Sequence, residues 1–167
     1  MIVGIMSDTH GRVEALSKVL AHFESIAVEA IIHCGDVTRA ECLEILSEAR
    51  NVYMTMGNDD KGIFMMAQQA HMLGIHFCEP VIILPIGKGK TLAATHGNRP
   101  QILDELISSQ AHAYVCHGHT HVRRDERIGQ TRVINPGAMS HSRRGPEGVV
   151  MLDTDQDELT LINIKDL

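Results

Sequence analysis

Five times along the chain a short apolar run closes on a glycine flanked by Asp, Asn or His. Ile2 to Met6 leads into Ser7-Asp8-Thr9-His10-Gly11. Ala30 to His33 leads into Cys34-Gly35-Asp36, and Asn51 to Met56 into Gly57-Asn58-Asp59-Asp60. Thr91 to Thr95 leads into His96-Gly97-Asn98, and Ala113 to Cys116 into His117-Gly118-His119-Thr120-His121. Apolar runs this short, without polar alternation, read as strands buried on both faces. Such strands belong to parallel sheets covered by helices.

The segments between the runs supply those helices. Arg12 to Glu24 places Val13, Leu16, Val19, Leu20 and Phe23 on one stripe. Arg39 to Arg50 turns Leu43, Leu46 and Ala49 inward, and Ile63 to Met72 admits a short helix. Pro100 opens a helix to Gln110 with Ile102, Leu103, Leu106 and Ile107 facing in. Val81 to Ile86 joins Thr91 to Thr95 through Gly87-Lys88-Gly89-Lys90, a hairpin signal. Beyond residue 121 the pattern changes. Arg124 to Ile128, Thr131 to Ile134, Gly148 to Leu152 and Glu158 to Ile164 read as antiparallel strands, with Asn135-Pro136-Gly137 as an interrupting loop. The class is α/β, with two layers of sheet and helices outside. The length of 167 residues fits one domain over 1–167.

Composition narrows the function. A net charge of -6 and a total lack of Trp argue against a nucleic-acid platform, which needs a basic surface and stacking rings. Cys34, Cys42, Cys78 and Cys116 show no paired zinc spacing and read as reduced thiols, which points to the cytoplasm. No leader segment is visible, and no apolar run approaches the ~20 residues that cross a membrane. Of the 11 histidines, His10, His33, His96, His117, His119 and His121 gather at the ends of the apolar runs. His33 and His117 read as packed or supporting side chains; His22, His71, His76 and His112 read as surface or packing residues.

Asp8, His10, Asp36, Asn58, His96, His119 and His121 are then the candidate metal ligands. With the chain extended at residues 8–10, Asp8 and His10 reach one point, because i and i+2 face the same way. Mixed oxygen and imidazole donors without thiolate suit Mn, Fe, Zn, Co or Ni better than calcium or a structural zinc. Seven donors exceed what one open catalytic ion needs and match two ions sharing a carboxylate. Two ions about 3.5–4 Å apart hold a bridging hydroxide and clamp an in-line displacement at phosphorus. Two divalent ions, two carboxylates and a hydroxide leave the site positive, which favours a phosphate ester. Asn98 and Arg143 are candidate substrate contacts, with Arg99 and Arg144 beside them. Asp60 either orients a ligand histidine or caps the next helix.

The ordered blocks Asp8-Thr9-His10, Gly35-Asp36, Gly57-Asn58-Asp59-Asp60, His96-Gly97 and Gly118-His119-Thr120-His121 resemble those of the calcineurin-like metallophosphoesterase superfamily. The short length and Asn135-Pro136-Gly137 resemble its small YfcE-like phosphodiesterase branch. The resemblance implies a four-layer αββα sandwich of two mixed β-sheets flanked by helices. It implies Asp8, His10 and His121 on a first metal, Asn58, His96 and His119 on a second, and Asp36 bridging. It also implies a metal-dependent phosphodiesterase with two divalent ions, Mn2+ first, with Ni2+, Fe2+, Zn2+ or Co2+ as alternatives. The implied partner is a small phosphodiester, with no membrane. The C-terminal strands leave pairing between copies of the chain open. A different class of function follows from another resemblance: the retromer subunit of the same fold is a protein-binding scaffold with little or no turnover.

One position departs from the superfamily. A His that follows the motif Asn is replaced by Asp59, while Asp60 keeps the pattern. As a charged group Asp59 would repel a monoester dianion more than a diester monoanion. In a desolvated site it would instead hold a proton and act as general acid, with Asp60 beside it.

Overall fold

The computed structural model describes residues 1–141 and 143–167, with all of their side chains but those of residues 63 and 64. The apolar runs become strands. The first sheet is built from β1 (Ile2–Met6), β2 (Ala30–His33), β3 (Val52–Met54), β4 (His76–Phe77), β10 (Gly148–Asp153) and β11 (Glu158–Asn163). Its order is β11-β10-β1-β2-β3-β4. The strands from β1 to β4 are parallel, and β10 and β11 add antiparallel. The second sheet takes β5 (Ile82–Pro85), β6 (Thr91–Ala94), β7 (Tyr114–Cys116), β8 (Arg124–Ile128) and β9 (Thr131–Asn135), in the order β5-β6-β7-β9-β8.

Both sheets are mixed, which qualifies the expectation for the C-terminal part. The hairpins β8–β9 and β10–β11 are antiparallel, yet β9 lies parallel to β7. The two hairpins also belong to different sheets. The turn after Ile86 closes as expected, with the Lys90 amide donating to Gly87 O.

Among the described residues four helices cover the sheets: α1 (Val13–Ser25), α2 (Ala40–Leu46), α3 (Ile63–Met72) and α4 (Pro100–Ser108). Helix α2 stops well short of the expected Arg50. The amides of Glu48 and Ala49 reach back only three residues, to Ile45 O and Leu46 O, so the last turn tightens out of the α form. Leu16, Val19, Phe23, Leu43 and Leu46 pack on Ile31, Val52 and Met54 of the first sheet. Alternate residues of the same strands, Val3, Ile5 and Ile32, face Ile82, Leu84, Leu92 and Ile134 of the second. On the far side Ile107, with half-buried Leu103 and Leu106, covers Ala93, Val115 and Val133. The layers are therefore helix, sheet, sheet, helix. Burial on both faces explains why these strands are apolar throughout. Among the described residues no helix is long and apolar enough to cross a membrane.

Candidate metal centre

The parallel strands deliver their ends to one edge of the sandwich. Helices and loops start there, which is where open α/β sheets place their sites. Strand β1 ends at Met6, and the chain does not stay extended beyond it. Asp8 and His10 have φ of 56° and 44°, so strand alternation is not what brings them together. The loop is instead laced to the one after β2. The amides of Asp8, His10 and Gly11 donate to Gly35 O, Asp36 O and Val37 O at 3.0, 2.9 and 3.0 Å. Asp36, His119 and His121 share the left-handed backbone, at φ 58°, 63° and 58°. Such conformations cost energy in non-glycine residues and gather at functional sites.

Buried groups hold these loops. His33 Nδ1 accepts from the Gly35 amide (3.1 Å), which leaves its Nε2 proton for Thr9 Oγ1 (2.7 Å). Burial pushes the His33 pKa down to about 3, so the ring is a neutral peg between two loops. Asp60 accepts from the amides of Asp36 and Gly57 (both 2.9 Å) and of Thr38 (2.7 Å). It staples the loops after β2 and β3, and among the described residues its bonds go to these amides and to no histidine. Burial raises its pKa against the pull of those amides. Asn135, which the sequence pattern groups with Pro136 and Gly137 as a loop, is the buried last residue of β9. Its Nδ2 donates to Gly118 O (2.9 Å) and Thr120 Oγ1 (3.1 Å), and so fixes the turn that carries His119 and His121. The signal was there: Asn135 ends an apolar run beside Pro-Gly, as the other site loops end theirs.

The candidate ligands converge. The Asp59 amide donates to Asp36 Oδ1 (2.8 Å), and Oδ2 turns toward His10 Nε2 (3.7 Å) and His96 Nε2 (3.3 Å). The His119 amide donates to Asp8 Oδ2 (3.1 Å), while Asp8 Oδ1 lies 3.2 Å from His121 Nε2 and 4.0 Å from His10 Nε2. His96 Nδ1 faces the carbonyl of Cys34 at 2.7 Å, an acceptor only, and so carries the proton. In the neutral ring the Nε2 lone pair then points at Asp36 Oδ2 and at Asn58 Oδ1, 3.1 Å away. The ring of His119 stands edge-on to that of His96, with centroids 5.1 Å apart.

Burial disfavours a charged His96, but Asp36 outweighs it and the pKa rises. Burial likewise works to raise the Asp36 pKa, and the bond to His96, with the Asp59 amide, outweighs it downward.

Asp8 Oδ1 and His10 Nε2 are buried without a hydrogen-bond partner among the described residues. An unmet buried acceptor costs about 1–3 kcal/mol. Lone pairs aimed at one another are what a cation would satisfy, so the donor set fits divalent metal. Asp8, His10 and His121 place ligand atoms within 4.8 Å of one another, as do Asp8, Asp36 and His96. Asp8, Asp36 and His96 are buried, His10 and His121 half-buried, and Asn58 and His119 exposed. The cluster is thus closed below and open to solvent above. Asn98 is half-buried before α4, and Arg143 is exposed after Ser140. Neighbouring Arg99 pairs with Glu79 at 3.1 Å, and Arg144 reaches Thr120 O at 3.4 Å. Asp59 is 56 % exposed, at the open rim of the cluster.

Residues 1–157 match the calcineurin-like phosphoesterase superfamily domain. The chain belongs to that superfamily. Its members are metal-dependent, in keeping with the donor set described above. Within the superfamily the chain is 31% identical over 160 residues to the phosphodiesterase MJ0936 of Methanocaldococcus jannaschii, covering 95% of this chain and 96% of that one. A solved archaeal phosphodiesterase matches with a TM-score of 0.88 at 29% identity, over 98% and 99% of the two chains. The phosphoesterase YfcE of E. coli matches with a TM-score of 0.76 at 25% identity, over 99% and 94%. These likenesses agree with the small YfcE-like branch of the calcineurin-like superfamily.

Proposed function

We propose that this superfamily member is a phosphodiesterase working through two divalent ions, manganese first among them. Asp8, His10 and His121 hold one ion, Asn58, His96 and His119 the other, and Asp36 is shared. The observation that carries the reading is Asp36 Oδ2, which faces His10 Nε2 and His96 Nε2 at once while its other oxygen is held by an amide. When bound, such ions supply Lewis acidity toward a phosphoryl oxygen and activate water.

The chain's own residues set the rest. Asn58 and His119 lie on the open side, where a small phosphodiester enters, with Asn98 and Arg143 as its contacts beyond the metals. The exposed Asp59 carboxylate adds negative charge at the rim. A monoester dianion meets more repulsion there than a diester monoanion, which favours diesters. One domain spans 1–167, and four free thiols, three of them buried, suit a reducing cytoplasm.

The test is hydrolysis of bis(p-nitrophenyl) phosphate and p-nitrophenyl phosphate by metal-stripped protein titrated with Mn2+. Activity should appear with the metal and be faster on the diester. Asp36→Asn should lower it by more than about 100-fold, beyond what loss of a supporting group costs. Faster monoester turnover would sink the diester preference, and metal uptake without turnover would favour the scaffold function.

A further inference from the structure

Asp59 touches three candidate ligands and does so with three different atoms. Its amide donates to Asp36 Oδ1 at 2.8 Å. Its Oδ1 accepts from Asn58 Nδ2 at 2.9 Å. Its Oδ2 lies 3.7 Å from His10 Nδ1.

Each of the two side-chain contacts settles an ambiguity that a metal site cannot leave open. An Asn amide has one end that binds a cation and one that repels it. By taking the NH2 end, Asp59 turns Asn58 Oδ1 toward His96 Nε2, 3.1 Å away. An imidazole binds metal through the nitrogen that lacks a proton. His10 Nε2 is the buried nitrogen, aimed at Asp8 and Asp36 and otherwise unpartnered among the described residues. Once a cation takes up the Asp8 and Asp36 carboxylates that otherwise face Nε2, the Asp59 carboxylate beside Nδ1 would favour the proton there and leave the lone pair on Nε2. At 3.7 Å that contact is electrostatic and longer than a hydrogen bond.

We propose that Asp59 is a positioning residue, which sets the amide orientation of Asn58 for one ion and the tautomer of His10 for the other. It does not act as the general acid. The inference rests on the two-metal reading above. It accounts for a carboxylate at this position by the contacts of its two oxygens.

Asparagine cannot replace this function in full. Its one oxygen can accept from Asn58 or from His10, and its NH2 end would face the other donor. Asp59→Asn should therefore weaken one ion, and Asp59→Ala both. Mn2+ binding to metal-stripped protein, followed by calorimetry, should show losses of about 10–100-fold, the usual effect of removing a supporting partner. The diesterase rate of both variants should return as Mn2+ is raised, with an unchanged dependence on the leaving group.

A general acid predicts the opposite. Metal affinity would stay at the wild-type value, Mn2+ would not restore the rate, and the loss would grow as the leaving group becomes more basic. That result overturns the proposal. Wild-type protein run in parallel separates the two levels. If it fails to bind two ions, the metal reading itself fails. If it binds two and the variants match it, only the role of Asp59 fails.

Discussion

At Gly118 a Cβ would overlap Ser7 Oγ and lie 2.6 Å from Asp8 Oδ2. The backbone of one sheet's loop there presses on a ligand from the other. Gly118→Ala should push Asp8 out of place and lose tight Mn2+ binding, at an overpacking cost of about 1–3 kcal/mol in stability. Gly145→Ala is the control, since among the described residues its Cβ meets only His121 O at 3.5 Å. Equal Mn2+ affinity in the two variants would show that the close approach is not what requires glycine. At Gly57 a Cβ would lie 2.5 Å from Asp36 Cγ, so this motif glycine too is there for close approach. At this scale the convergence of the candidate donors was legible, because Asp, Asn and His beside glycine are the residue types that metal chemistry uses. The supports were not. Asp60 binds the amides of Asp36, Thr38 and Gly57, and Asn135 binds Gly118 O. Backbone partners distant in the chain leave no mark on residue type.

Between residue and molecule stand the strand ends, and His33 at the end of β2 shows how they are fixed. Burial holds its pKa near 3, while in the unfolded chain it takes a proton at the ordinary value of 6.5. The unfolded state therefore binds more protons between those values, and stability falls as the pH drops through that window. One such group contributes a slope of up to about 1.4 kcal/mol per pH unit. Urea unfolding of metal-stripped His33→Gln from pH 6.5 to 4 should show a shallower acid slope, by close to one proton. Matching slopes would mean that His33 does not stay neutral in the fold. The strands themselves were readable, since an apolar run closed by glycine and a charged or polar residue has few other fates. What sequence missed at this scale was non-local. The two C-terminal hairpins join different sheets, β4 is a pairing of only two residues, and Asp8 and His10 leave the extended form as soon as β1 ends. Each depends on a partner that local pattern does not name.

In the whole molecule the first sheet provides Asp8, His10, Asp36 and Asn58, and the second provides His96, His119 and His121. On the proposed assignment each ion takes ligands from both sheets, whose shared core is apolar. Metal would then act as a cross-sheet tie as well as a reagent. Binding to the native state alone adds about 2.7 kcal/mol at a hundredfold excess over Kd. For a chain of this size that corresponds to a rise in Tm of about 5–10 °C per ion. Thermal melts with and without Mn2+ should show this rise in the wild type, and a chelator should reverse it. The tie makes a sharper demand. Asp8→Asn and His121→Ala remove ligands to the same ion from opposite sheets, so each should lose a similar part of the metal-induced rise. If His121→Ala keeps nearly all of it while Asp8→Asn loses it, the ion is held by the first sheet alone. The two halves of the sandwich would then owe their union to the apolar layer, and the proposed sharing of ligands across the sheets would be wrong.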